Sequence, residues 1–327
     1  MEINESIFFP IWEEGEKYDY PMAFDFRPGV HAYIHEEDEA ARAIVMVPGG
    51  AYKLVSPTES WSVGRKYYEA GYNVFIVRYT TNLFKTDPLY DLPLRELAKA
   101  ISIIRREHVR YKTDPGKITV LGFSAGAHLA ASLLVHHNDV GSDARPDAGI
   151  LAYPVITAME GAHQESFQAL LGMDIYERKD EEAARLLRYY SLENWVDEDT
   201  PPVFLWHTVT DELVPCANSI IFEEKLRQKG IMHALHLYSQ GPHGLSSADE
   251  EWADRVSEDT WCIEQVKEAY EGVAGTKPGV SEAMILDAKV CYEDHVTKER
   301  GDRMPYKEVS AWIRDSMAFL DNVFDRK

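Results

Sequence analysis

Long apolar runs, an excess of basic residues, paired cysteines and internal repeats are all missing from this chain, and each absence closes a class of function. No segment approaches the ~20 consecutive apolar residues that a membrane-spanning helix needs. The first residues, Met1 to Glu5, are acidic and carry no apolar run behind a basic patch, so no signal peptide is expected. Lys and Arg number 34 against 55 Asp and Glu, and the resulting charge of −21 repels nucleic acid and anionic membranes while favouring neutral or cationic ligands. The three cysteines (Cys216, Cys262, Cys291) are odd in number, far apart and form no CxxC pair. Disulfides and a metal site are therefore not expected, and a cytoplasmic location suits the chain. What remains is 327 residues, 45% of them hydrophobic, enough for one α/β domain with a sizeable core.

The most informative stretch runs from Ile118 to Ala130. Ile118 to Leu121 is a short apolar run that suits a buried strand, and Ala127 to Val135 is apolar on every side, like a buried helix. Between them stand Gly122, Phe123, Ser124, Ala125 and Gly126. A serine on so tight a strand-to-helix turn takes a strained backbone conformation, and bulk two residues before or after it would collide with neighbouring main chain. Gly122 and Gly126 remove those collisions, and the turn lifts the Ser124 hydroxyl above the sheet. The pattern alone arises by chance in roughly one chain in twenty of this length. The strand before it and the helix after it are what point to a nucleophile rather than to a packed junction.

The rest of the chain alternates in the same rhythm. Ala43–Val47, Asn73–Tyr79, Ala148–Tyr153, Pro202–Trp206 and His233–Tyr238 have the composition of strands. Helices are expected from Pro57 to about Gly71, with Ser56 as N-cap and Glu59 completing a capping box, from about Leu94 to Arg110, and from Pro215 to Lys229. Alternation at Ala23–Phe26 and Val30–Ile34 suggests edge strands. The amphipathic set Val309, Trp312, Ile313, Met317, Leu320 and Phe324 predicts a final helix packed on the sheet. Together these predict a mostly parallel central sheet with helices on both faces. Residues 155–200 suit a lid-like excursion. Residues 246–304, charged, helical to about Gly272 and broken at Gly275–Gly279, suit an insertion or a cap over the site.

A serine hydroxyl is a poor nucleophile at neutral pH unless a base takes its proton, and the usual base is a histidine supported by a carboxylate. The late strand ending at Trp206 runs into a loop holding Asp211, with Glu212 as rival carboxylate. The next strand ends in Gly241, Pro242, His243 and Gly244, turn residues around one histidine. That is a poor place for a core histidine and a good one for a base. His128, His136, His137, His207, His233 and His236 lie inside or at the ends of regular elements, where packing or surface roles are expected. An oxyanion hole needs backbone N–H groups aimed at the developing negative charge. Ala125 offers one, and the loop Pro48–Tyr52 offers Gly50 and Ala51, with Gly49 shaping the turn.

With these residues in place the sequence resembles the α/β-hydrolase superfamily, and within it the intracellular branch of acetyl and acetylxylan esterases. The resemblance rests on Pro48–Tyr52, Ile118–Gly126, Ala152–Val155, His163–Phe167 with Leu170–Gly172, Thr200–Thr208, Asp211–Pro215 and Gly241–Leu245. It covers roughly residues 40–245 and the last helix. The oxyanion loop begins with Pro48 where the hormone-sensitive-lipase branch has histidine, and residues 246–304 are unusual for the family. The resemblance implies cofactor-free hydrolysis of short acyl esters, acetyl groups on xylose-based oligosaccharides among them. The expected partner is thus a small acylated substrate, with a homo-oligomer possible and no nucleic acid or membrane. Two other readings remain open. One is a peptidase of the prolyl-oligopeptidase kind, disfavoured because there is no room for its large N-terminal propeller. The other is a catalytically silent ligand-binding protein on a hydrolase scaffold.

Overall fold

The computed structural model describes residues 6–16, 18–37, 40–254, 259–273, 279–297 and 303–325. Eight strands form one sheet in the order β1-β2-β4-β3-β5-β6-β7-β8. In chain order they are β1 (Ile7–Pro10), β2 (Gly29–Tyr33), β3 (Ala41–Val47), β4 (Asn73–Arg78), β5 (Thr113–Phe123), β6 (Ala148–Ala152), β7 (Val203–Thr208) and β8 (His233–Tyr238). The pairs β1/β2 and β2/β4 are antiparallel, and every later pair is parallel.

Both faces of the sheet are covered, which is why its central strands read as continuous apolar runs. In β3, Ala43, Val45 and Val47 join one core cluster while Ile44 and Met46 join the other. The first cluster takes residues from α2 (Leu92–Arg106), α3 (Ser124–Val140) and α7 (Ala217–Gln228). The second takes α1 (Trp61–Glu69) and the final helix, numbered α11 below (Trp312–Phe324), where Trp312 is fully buried and stacks on Trp206 at 5.2 Å.

Parallel strands place all their C-terminal ends on one edge, where α/β sheets bind their ligands. The loops after β3, β5, β6, β7 and β8 therefore meet there. Between β6 and β7 come α4 (Gln164–Leu171), α5 (Met173–Tyr176) and α6 (Glu181–Tyr189). Glu165 of α4 pairs with Lys53 and Lys85, each at 3.2 Å, which fastens this excursion to the loops after β3 and β4.

After β8 come α8 (Glu250–Asp254), α9 (Glu264–Gly272) and α10 (Glu282–Thr297), and then α11. Gln265 of α9 is buried against the end of β4, accepting from Thr81 N–H at 2.8 Å and donating to its hydroxyl at 2.7 Å. Trp261 stacks on His31 of β2 at 3.9 Å, and Tyr270 meets Tyr292 at 6.0 Å, so these rings are taken up in packing. Most of the expected break at 275–279 lies outside the described residues. No helix among the described residues is long and apolar enough to cross a membrane.

Three local expectations are corrected. Ala23–Phe26 forms successive turns rather than a strand, with Phe26 N–H on the Ala23 carbonyl at 2.9 Å. Residues three apart in a turn share a side, so Ala23 and Phe26 are both buried, and the first edge strand is β1 instead. The helix expected to reach Arg110 ends at Arg106. Ser56 makes no capping hydrogen bond; residues Pro57–Glu59 form a single 3-10 turn, and α1 starts at Trp61. Glu59 is turned inward, toward Gly49 N–H and the Tyr153 hydroxyl.

Candidate active site

Ser124 sits where β5 meets α3 with φ of +52°, a left-handed conformation that a non-glycine residue adopts only under constraint. The constraint is close packing. A Cβ on Gly126 would lie 2.1 Å from the Val47 carbonyl oxygen and 2.4 Å from that of Pro48. A Cβ on Gly122 would lie 2.4 Å from the Gly126 oxygen. β3, β5 and α3 can approach this closely only if both positions are glycine.

The Ser124 hydroxyl donates to His243 Nε2 at 2.7 Å, and His243 Nδ1–H donates to Asp211 Oδ2 at 2.6 Å. Asp211 Oδ1 accepts from the N–H groups of Leu213 (3.0 Å) and Val214 (2.9 Å), which locks its side chain against the start of the next loop. Burial alone would push the Asp211 carboxyl up. Hydrogen bonds from His207 and His243, the charge on His243 and the Val214 N–H outweigh it and hold the group well below the usual carboxylate range. Glu212, the rival acid, is exposed on the rim. Thr210 laces the two loops together, its hydroxyl accepting from Gly241 N–H at 2.8 Å and donating to the Gly241 carbonyl at 3.1 Å.

The loop after β3 is held group by group. The Tyr79 hydroxyl donates to the Pro48 carbonyl at 2.7 Å, and Gly49 N–H donates to Glu59 Oε2 at 2.7 Å. The Gly49 carbonyl accepts from Ser56 N–H at 3.0 Å, and the Gly50 carbonyl accepts from Lys53 and Leu54 N–H. In a trans peptide the N–H points opposite to the preceding C=O. Fixing those two carbonyls therefore fixes the Gly50 and Ala51 N–H groups facing the other way. Neither has an acceptor among the described residues. Gly50, Ala51 and Tyr52 all have positive φ, and Gly50 at +119° could carry no side chain. At the start of α3, the Ala125 N–H belongs to the first turn, which has no partner within the helix. Gly49 lies against the serine itself, since a Cβ there would be 2.9 Å from Ser124 Cβ.

Several residues escaped the sequence reading. His207 is fully buried, as expected of a packing residue, but its Nε2–H is shared between Asp211 Oδ2 (3.2 Å) and the Val214 carbonyl (2.9 Å). Its Nδ1 accepts from the Ser219 hydroxyl at 2.8 Å. His128 accepts from the Tyr52 hydroxyl at 2.8 Å and donates to the Tyr190 carbonyl at 2.9 Å, and burial lowers its pKa to about 4. It therefore stays neutral and anchors the loop after β3. Tyr153, at the end of β6 with φ of +37°, meets the His243 ring edge-on at 4.9 Å. The spacing His207–Asp211 was the one visible hint, because four residues across a strand end is short enough for contact.

Beside His243 lies an open groove of about 580 Å³ with Thr210, Glu212, Gln240, Pro242 and Tyr306 in its walls. No group of acidic, histidine or cysteine side chains able to hold a metal ion occurs among the described residues.

Comparison with known proteins accords with this architecture. Residues 32–226 match the BD-FAE family. The chain is 36% identical over 267 residues to endo-1,4-beta-xylanase B of Butyrivibrio fibrisolvens, covering 79% of this chain and 41% of that protein. It is 31% identical over 215 residues to acetylxylan esterase of Xylanibacter ruminicola, covering 64% and 42%. The chain thus spans about two fifths of the length of these curated relatives. Among solved structures, an acetyl ester-xyloside bifunctional hydrolase from Caldicellulosiruptor lactoaceticus superposes with a TM-score of 0.68 at 32% identity. The match covers 77% of this chain and 94% of that one. The α/β hydrolase MGS-M1 from a deep-sea metagenome, at 22% identity and a TM-score of 0.61 over 98% of this chain, shares the fold. Its strand order, its glycine-bracketed serine turn and these matches make the chain a member of the BD-FAE family of α/β-hydrolases.

Proposed function

We propose that the protein is a serine carboxylesterase that removes short acyl groups, acetyl above all, from xylo-oligosaccharides or related carbohydrates. One observation carries the reading: an unbroken line from the Ser124 hydroxyl through His243 to Asp211, at 2.7 and 2.6 Å, set against a loop whose Gly50 and Ala51 N–H groups have no acceptor among the described residues. Ser124 attacks the ester carbonyl while His243 Nε2 takes its proton. Asp211 keeps the imidazole proton on Nδ1 and stabilises the imidazolium. The N–H groups of Gly50, Ala51 and Ala125 receive the oxyanion. His243 then returns the proton to the leaving alkoxide, and water repeats the sequence on the acyl-enzyme. No cofactor enters any step.

The groove beside His243 supports a bulky alcohol. Its volume of about 580 Å³ exceeds what a simple alcohol fills, and the Tyr306 ring with Glu212 and Gln240 supplies an apolar plane and hydroxyl partners suited to a sugar. In this reading residues 246–304 serve as an insertion that buttresses the loops after β4 and delivers Tyr306 to the groove, more than as a cover. The names of the xylan-related relatives accord with the sugar. Three cysteines, odd in number and with no CxxC spacing, suit a reducing cytoplasm.

Ser124→Ala tests the chemistry: it should abolish nitrophenol release from p-nitrophenyl acetate and labelling by a fluorophosphonate. Undiminished turnover in that variant removes Ser124 from the mechanism. Acetate release from acetylated xylo-oligosaccharides, set against aryl esters of rising chain length, tests the substrate class.

A further inference from the structure

Of the buried carboxylates that the mechanism leaves unused, Glu59 stands directly behind the nucleophile. Glu59 is 4% exposed. Its Oε2 accepts Gly49 N–H at 2.7 Å, and its Oε1 accepts the Tyr153 hydroxyl at 2.6 Å. The Tyr153 oxygen also receives Ser246 N–H at 3.1 Å, three residues beyond His243 in the chain. Its hydroxyl proton is thereby committed to Glu59. A Cβ added to Gly49 would come within 2.9 Å of both Glu59 Oε2 and Ser124 Cβ, so the carboxylate is wedged against the serine turn.

Taking a carboxylate out of water is costly unless its surroundings supply donors, and burial pushes the Glu59 carboxyl up. Surface capping would need no such burial. Each oxygen here faces a donor: a peptide N–H that cannot reverse, and a hydroxyl whose own oxygen is already engaged. Only a group that accepts at both ends fits between them. With Tyr79 on the Pro48 carbonyl and Glu59 on the Gly49 N–H, the Pro48–Gly49 peptide is clamped from both sides. The next peptide, which carries the Gly50 N–H, inherits that orientation.

We propose that Glu59 is a positioning residue of the esterase. As an acceptor-only node between Gly49 and Tyr153, it holds the oxyanion loop with Gly50 and Ala51 N–H groups facing the acyl carbonyl and ties that loop to the one bearing His243. The proposal rests on the serine-esterase reading above. Glu59 touches no substrate and acts through Gly49 and Tyr153.

Glu59→Gln is the discriminating variant, because it keeps size and shape but offers one acceptor and one donor. Whichever way the amide turns, its N–H₂ meets Gly49 N–H or Tyr153 O–H. With p-nitrophenyl acetate, kcat should fall at least tenfold with KM within about twofold of the parent. The Ki of an aryl trifluoromethyl ketone, whose hemiketal oxygen occupies the oxyanion site, should rise in parallel with the loss in kcat. Adding Tyr153→Phe should restore part of the lost kcat, since the Gln carbonyl can then face Gly49 without opposing a hydroxyl proton. A merely structural role would show in thermal stability or yield while the folded fraction kept its kcat and Ki, and that result overturns the proposal. So does a Glu59→Gln enzyme within twofold of the parent. Should Glu59→Gln not fold, Tyr153→Phe alone must still raise Ki at least threefold with KM unmoved; an unchanged Ki overturns the proposal. Ser124→Ala separates the two levels. If it stays active, the esterase reading falls. If it is dead while Glu59→Gln is unimpaired, only the role of Glu59 falls.

Discussion

The strain at Ser124 can be measured without any substrate. A non-glycine residue at φ of +52° carries a backbone penalty on the order of 1–3 kcal/mol. Ser124→Ala removes the hydroxyl and its bond to His243 but keeps the penalty, because the Cβ remains. Ser124→Gly removes the same hydroxyl and also releases the penalty. Against that gain, glycine adds roughly 0.4–1 kcal/mol of freedom to the unfolded chain. The glycine variant should therefore be more stable than the alanine variant by about 1–2 kcal/mol. For 327 residues the unfolding entropy near 60 °C is about 0.7 kcal/mol/K. The expected difference in Tm is then about 1–3 °C, readable by calorimetry on two proteins that both lack the hydroxyl. Comparing the two variants with each other, rather than with the parent, cancels the lost hydrogen bond. A glycine variant no more stable than the alanine variant would show that the serine turn stores no strain.

Three further perturbations test other parts of the structure. Gly126→Ala puts a methyl group 2.1 Å from the Val47 carbonyl oxygen, against backbone that cannot yield, and should cost about 3 kcal/mol or more in denaturant unfolding. Glu96 is fully buried, and burial raises its pKa to about 7 despite hydrogen bonds from Thr80 and Trp12. Its stabilising term is thus complete below the unfolded carboxyl value near 4.5 and is lost as pH rises through about 7, a difference of about 3 kcal/mol. Glu96→Gln should flatten the pH dependence of Tm across that window, and an unchanged slope refutes the assignment. Tyr306→Ala should raise KM for acetylated xylo-oligosaccharides by roughly 2–10-fold while leaving p-nitrophenyl acetate untouched; equal effects on both substrates would remove the sugar from the groove.

How far the sequence revealed this arrangement depended on whether the determining contacts were local. The turn at Ser124 announces itself because its requirement, no bulk at Gly122 and Gly126, is written within five residues. Asp211 and His243 stand out because each sits among turn residues just past a strand, where a core role is implausible. The loop glycines Gly49 and Gly50 follow the same logic. Glu59 misled because Ser56, Pro57 and Glu59 satisfy a local capping pattern, whereas the donors that draw it inward, Gly49 and Tyr153, lie ten and 94 residues away. Ala23–Phe26 misled in a similar way, since alternation over four residues suits a strand as well as it suits consecutive turns. His207 was legible as buried but not as a partner of Asp211, because its neighbours Ser219 and Val214 come from the following turn and helix.

The fastening of the segment beyond His243 has a consequence for synthesis. Ser246, whose N–H meets Tyr153, gives its carbonyl to Trp312 Nε1 at 2.9 Å, and Ala248 gives its carbonyl to Tyr306 N–H at 2.8 Å. Both partners lie far downstream in the chain. A ribosome that has already released Ser124, Asp211 and His243 has still not made the tryptophan that pins the turn after the imidazole. The chain thus carries Ser124, Asp211 and His243 before it carries the side chain that pins the turn after His243.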